Sequence, residues 1–354
     1  MRIGLNILPT VAPGEQPADR FYSECLRLCE AAEVVGLSHI KVVEHYLHAW
    51  GGYSPDPIAL LCAVAARTSR VRLVTGAVVP AFTHPVKLAA SLSVLDNLSR
   101  GRLDAGFGRA FLPTEFAAFG IDMAESRPRL SEGVTAVRRL WTEERFRWEG
   151  TFHRFGPLPA LLPRPAQQPH PPVFIAATAS PETFAWAGEN GYHLMVIPGV
   201  AGHDRVTELL EGYREARAAA GHTGPGRLHI SLHATFAEDR IRARETAERA
   251  FADYRRKQLE AYATWRGVDS AAYPGYEKME AAARDTRLSD LLEAGTAVVG
   301  DATDAIEGLR RIAARYPGAE PSLHLRFGDA THEEAMRSLL LLGSDVLPKL
   351  TDLR

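Results

Sequence analysis

A few short stretches of this chain gather the residue types that do chemistry. Glu44-His45-Tyr46 is followed closely by Trp50-Gly51-Gly52-Tyr53. Further on come Pro80-Ala81-Phe82-Thr83-His84, Gly108-Arg109-Ala110-Phe111 and Thr178-Ala179-Ser180-Pro181. His45 can move a proton or hold a polar group near neutral pH; the alternative is a capping histidine in a surface loop. The aromatic and glycine run behind it suits an apolar pocket with a few polar groups. Arg109 sits beside Gly108, where a ligand can approach closely, and a guanidinium suits bidentate binding of phosphate or carboxylate. Ser180-Pro181 reads as a helix start, whose free N–H groups can hold an anion or be satisfied by ordinary capping. Arg109 and that helix start together point to a phosphate site.

Other chemistries find no support. His170, His193, His203, His222, His324 and His332 lack metal-ligand spacing, and His229 and His233 lie four apart in a run that reads as a strand. Cys25 and Cys29, four apart on a helix, have no nearby partner ligands and read as core thiols. No metal site is expected. There is no G-x-S-x-G elbow, no P-loop and no G-x-G-x-x-G after the first strand.

The elements that must position these residues alternate between β-like and helical runs, the pattern of a parallel sheet with crossover helices. Strands are expected over 2–8, 39–43, 71–79, 103–108, 173–177, 194–197, 228–236 and 322–327. Helices lie between them; one of these opens at Asp56-Pro57 and one ends at Gly36. Eight strand–helix pairs predict a TIM (β/α)8 barrel filling residues 1–354 as one domain, with a doubly wound open sheet as the runner-up. In a barrel, function lies past the strand C-termini, where the stretches above fall. Residues 145–172 are rich in Pro, Gly and aromatics and read as an excursion outside the barrel. Residues 266–294 have weak patterning and read as a mobile lid.

Composition narrows the class. Hydrophobic residues make up 46% and charged residues 24%, which excludes disorder. The net charge is -2, which argues against nucleic-acid or membrane-surface binding through bulk charge. No apolar run is long enough to span a membrane. Three cysteines cannot build a disulfide framework and the first residues show no signal-peptide pattern, so a reducing cytoplasm is expected.

In this order and spacing, several motifs resemble the bacterial luciferase-like, flavin-dependent monooxygenases, most of all the luciferase α-subunit group. They are Val43-Glu44-His45-Tyr46, Thr75-Gly76-Ala77-Val78-Val79, His84-Pro85-Val86, the run from Leu95 to Arg102, and Gly106-Phe107-Gly108-Arg109. Further matches are Phe119-Gly120-Ile121-Asp122, Ser126-Arg127, Trp186-Ala187 with Gly191, and Ser344 to Pro348. The resemblance covers nearly the whole chain. It implies a TIM barrel that binds reduced FMN (FMNH2) from a separate NAD(P)H:flavin reductase, forms a C4a-(hydro)peroxyflavin and oxygenates a bulky organic substrate, as in secondary metabolism.

Residue by residue, the resemblance implies His45, with Glu44 beside it, as the catalytic histidine. Gly76-Ala77 would lie under the isoalloxazine ring, at a position where the family often has a non-proline cis peptide. Gly108 would border the ring, Arg109 would bind the phosphate, and Thr178, Ala179 and Ser180 would form the phosphate loop. Trp50, Tyr53, Phe82 and Phe111 could wall the site against water. Two departures set light emission and a long-chain aldehyde apart from what is implied. Luciferase has a reactive cysteine where this chain has Gly108, and an acidic residue and a serine where it has Thr178-Ala179. The alternatives are an F420-dependent oxidoreductase on the same barrel and a non-catalytic flavin-binding subunit. A homodimer is expected through the helices starting at Pro57 and Val86.

Overall fold

A computed structural model describes residues 1–353. Eleven strands are present: β1 (Gly4–Ile7), β2 (His39–Val42), β3 (Arg72–Thr75), β4 (Leu103–Phe107), β5 (Arg145–Glu149), β6 (Arg154–Pro159), β7 (Val173–Ala176), β8 (His193–Val196), β9 (Leu228–Phe236), β10 (Ala297–Gly300) and β11 (Glu320–His324). Eight of them close a parallel barrel in the order β1-β2-β3-β4-β7-β8-β9-β11, with β11 pairing back to β1. This is the TIM barrel that the strand–helix alternation predicts.

Local sequence explains the framework. The Asp56 side chain accepts from the Ala59 amide, with Pro57 in the first helical turn of Pro57–Arg67. Gly36 follows the helix Ala18–Val34 at φ +94°, a left-handed turn open to glycine. Along each strand the alternate residues split by face. Leu5, Ile40, Val42, Leu73, Ala105, Ile175, Val196 and Leu232 pack beneath the helices in one large core. The other face fills the barrel and is unusually polar: His39, Lys41, Asp104, His229, Glu320, Ser322 and His324 are all buried.

Several elements differ from expectation. Strand β3 ends at Thr75 rather than running to Val79; the chain turns through a cis Gly76–Ala77 peptide and Val78 bridges Phe107 beyond it. Strand β10 is an extra strand that pairs only with the far half of β9. Four residues are too few to show a period in the sequence. Residues 145–172 hold the β5–β6 hairpin, a two-stranded sheet separate from the barrel. Residues 266–294 are not a structureless loop: they contain the short helices Met279–Asp285 and Leu288–Glu293 and pack onto the barrel mouth. Among the described residues, no helix is long and apolar enough to cross a membrane.

Candidate active site

The loop after β2 carries His45 to the barrel mouth. Its Nδ1 lies 3.0 Å from Glu115 Oε1, and the Tyr46 amide donates to the same oxygen at 2.9 Å. Glu115 is buried in the first turn of the helix Pro113–Phe119. A carboxylate accepts, so His45 Nδ1 donates to it, and the ring's Nε2 is not engaged by the carboxylate. Gly51 stands against the same histidine. A Cβ there would come within 2.5 Å of His45 Cβ, and φ is +91°. Only glycine meets both demands.

Glu44 faces elsewhere. It accepts from the Tyr46 hydroxyl (2.8 Å) and the Val79 amide (3.1 Å), not from His45. Burial pushes its carboxyl up to about 8, against the pull of those two hydrogen bonds. Pairing with the histidine thus falls to Glu115, 70 residues away, which sequence reasoning did not single out.

The expected aromatic wall is partly assembled. Trp50 and Phe111 stand 4.7 and 5.8 Å from the His45 ring and meet Tyr262 of the long helix Arg240–Tyr262. Phe82 belongs to a neighbouring group, stacked on Phe119 at 4.3 Å and edge-on to Tyr46. Tyr53 does not join either group. It packs against Phe21 and Tyr22 on the first helix, and its hydroxyl donates to the Gln16 carbonyl.

Across the mouth, Gly108, Ala77 and Ala176 make a floor of small residues. A Cβ on Gly108 would come 3.1 Å from Ala77 and 3.3 Å from Ala176, filling the space between them. Beyond this floor is a cluster of anion donors. Ser180 caps the helix Pro181–Glu189, and Arg127 Nη1 donates to Ser180 Oγ (2.9 Å) and Thr183 Oγ1 (3.2 Å). The Glu182 carboxylate has folded onto this cluster, 2.6 Å from Ser180 Oγ and 3.4 Å from Arg127. The Ser180 hydroxyl and the Glu182 backbone amide, then the charges of Arg127 and Arg109, hold its pKa below the usual carboxylate value.

Arg109 itself is anchored sideways. Its guanidinium donates to Ser126 Oγ (2.9 Å) and to the Ala272 carbonyl (2.8 Å), and lies 4.3 Å over the Tyr273 ring. Tyr273 in turn donates to the Ala110 carbonyl, and Tyr276 meets Thr178. The 266–294 segment is therefore tied to both halves of the donor cluster.

The polar barrel also brings His39, His229 and Glu320 within 4.8 Å of one another. That is an ion-pair network rather than a metal cage. Arg2 and Arg227 already hold the Glu320 carboxylate at 2.7 and 2.8 Å, and both His39 nitrogens face serine hydroxyls.

The chain as a whole has known relatives. A family described as luciferase-like monooxygenase matches residues 1–319. The chain belongs to that family. It is 42% identical to the monooxygenase RslO1 from Streptomyces bottropensis, with a TM-score of 0.85 over 99% of this chain and 100% of that one. It is 32% identical over 218 residues to the oxygenase component of a flavin-dependent trigonelline monooxygenase from Acinetobacter baylyi. That match covers 61% of this chain and spans only 59% of the relative's length. It is 28% identical to an F420-dependent glucose-6-phosphate dehydrogenase from Amycolatopsis mediterranei, over 90% of this chain and 92% of the other.

The donor set suits the flavin mononucleotide that the family resemblance implies. Two arginines, two hydroxyls and a helix N-terminus match a phosphate dianion, and the cluster already holds a carboxylate. The small-residue floor leaves room for a flat ring. Arg127 is the member that sequence reasoning left without a role. Its only signal was its place in the Ser126-Arg127 match, because what aims it at Ser180 is the packing of two helices distant in sequence.

Proposed function

We propose that this protein is the oxygenase component of a two-component, FMNH2-dependent monooxygenase. A separate NAD(P)H:flavin reductase supplies the reduced cofactor, and the substrate is a bulky organic molecule. The observation that carries this reading is the pairing of two features at one barrel mouth. One is the Arg127–Ser180–Thr183 donor set with Arg109 beside it; the other is the His45–Glu115 pair amid Trp50 and Phe111.

Bound reduced flavin supplies the reaction with O2. The chain's own residues do the rest. Arg127, Ser180 and Thr183 hold the phosphate and fix the cofactor's register. Gly76, Ala77 and Gly108 let a planar ring lie close to the backbone. Trp50, Phe111, Tyr262 and Tyr276 keep water away. His45, with its Nδ1 proton held by Glu115, accepts or returns a proton at Nε2. The 266–294 segment acts as a lid, released when its ties to Arg109 and Thr178 are exchanged for ligand contacts. A homodimer would use the helices Pro57–Arg67 and Pro85–Leu98; the second leaves Val94 and Leu98 exposed.

The deciding experiment mixes anaerobic protein and photoreduced FMN with oxygenated buffer and follows flavin reoxidation and peroxide release. Both should be slowed by the protein. Reoxidation as fast as in buffer overturns the reading. The second reading, F420-dependent hydride transfer, is favoured by the match to F420 enzymes along nearly the whole chain. Tight binding of F420 with no affinity for FMN in either redox state would establish it.

A further inference from the structure

Lys41 is a barrel-facing cation that neither the fold nor the proposed reaction has used. It is 3% exposed, and its stem lies against Gly76: a Cβ there would come 2.2 Å from Lys41 Cγ. Its single hydrogen bond goes from Nζ to Ser231 Oγ, across the barrel on β9. Ser231 is half-buried while Ile230 and Leu232 on either side are buried, so this position of β9 borders open space. Because Ser231 Oγ accepts from the lysine, its own hydrogen is free for another acceptor.

Among the described residues, what surrounds Lys41 supplies no negative charge. Asn6 on β1 and Val74 on β3 flank it in register. Ser231 and His233 on β9, and Ser322 and His324 on β11, are paired in register on the neighbouring strands of the barrel. Its near neighbour on β2, His39, and both His233 and His324 are held neutral by burial, their pKa values lowered. The nearest acidic residue on these strands, Glu320, is already shared by Arg2 and Arg227. A buried cation without a counter-ion is strongly disfavoured. Burial brings the Lys41 ammonium down to about 7, so it is poised between charged and neutral. A group of this kind recruits charge from a ligand.

We propose that Lys41, acting through Ser231, is the counter-ion for negative charge on the ring of the reduced flavin, so that the site selects the reduced over the oxidised cofactor. The inference rests on the flavin reading above. Oxidised flavin has a neutral ring, and reduced flavin loses a ring proton near neutrality, so only the reduced form rewards a cation at this place. Such selection suits a protein that must capture a cofactor reduced elsewhere. Lys41 and Ser231 are positioning residues in this scheme.

The test is binding. Wild type, Lys41→Met and Ser231→Ala are titrated with FMN in air and with FMNH2 under anaerobic conditions, and the midpoint potential of bound FMN is measured. Wild type should prefer the reduced form by about tenfold or more, and Lys41→Met should abolish that preference while leaving FMN affinity unchanged. A tenfold loss lowers the two-electron midpoint by about 30 mV. Ser231→Ala removes one hydroxyl at a half-buried site; it should shift the preference the same way by less, and it decides the question if Lys41→Met does not fold. Equal loss for both redox forms, which a packing role would give, overturns the proposal, as does no change in either variant. Failure of wild type to bind either form overturns the flavin reading itself.

Discussion

At the N-terminal end of the barrel Asp104 and Glu320 are shared among Arg2, Arg72 and Arg227, with every contact between 2.6 and 3.1 Å. At the C-terminal mouth Lys41 has a serine, and Glu44 has one hydroxyl and one amide. Burial is nearly complete at both ends, yet the outcomes differ. At the base, burial alone would raise the carboxyls, but hydrogen bonds and charge from the arginines, with His229 close to Glu320, hold Asp104 and Glu320 below their ordinary values. At the mouth no opposite charge offsets burial, and Lys41 and Glu44 move toward neutrality, to about 7 and about 8. A matched buried charge holds the fold. An unmatched one is a liability to stability that persists where a ligand will meet it.

The sharpest break of that contrast is Asp104→Ala. It leaves Arg72 without a carboxylate and Arg227 with one, and should cost about 3–5 kcal/mol in urea unfolding with an unchanged m-value. A loss below about 1 kcal/mol, the scale of exposed pairs, would mean the base is no different from a surface network. His45→Ala should leave the fold and FMN affinity intact while lowering turnover about 100-fold or more; wild-type turnover would remove the proton-transfer role.

Glu44→Gln tests the mouth through pH. A carboxyl whose folded pKa is raised contributes stability that is complete below its unfolded value of 4.5 and is lost as pH rises through about 8. Wild type should therefore lose on the order of 2–4 kcal/mol across that window relative to Glu44→Gln. Parallel stability–pH curves for the two proteins would show that Glu44 is not neutral in the fold. The smallest effect is expected at the half-buried donors of the anion cluster. Arg127→Ala and Arg109→Ala should each weaken FMN about tenfold and riboflavin little, on the scale of one charge-assisted hydrogen bond. Equal losses for FMN and riboflavin would place the phosphate elsewhere.

The barrel was legible because its signals are local. Asp56, Gly36 and Ser180 mark helix ends by their own backbone chemistry, and the β-branched runs near 40, 73 and 175 alternate with helical stretches. The 279–285 and 288–293 helices were not legible, since six or seven residues make at most two turns and show little period. The site was half legible. His45, Arg109 and Ser180 follow strand ends, and a barrel makes every strand end a candidate. Glu115, Arg127 and Ser231 are ordinary helix and strand residues until other elements are set beside them.

By itself, then, the order of residues determined the strand–helix alternation, the closure into eight parallel strands and the loops that reach the mouth, because hydrophobic period and caps act over a few residues. The tertiary structure alone decided which carboxylate holds His45, that Arg109 is tied to Ala272, and that Lys41 has no counter-ion. Those outcomes depend on distances between side chains tens to hundreds of residues apart, which are set only when the barrel closes.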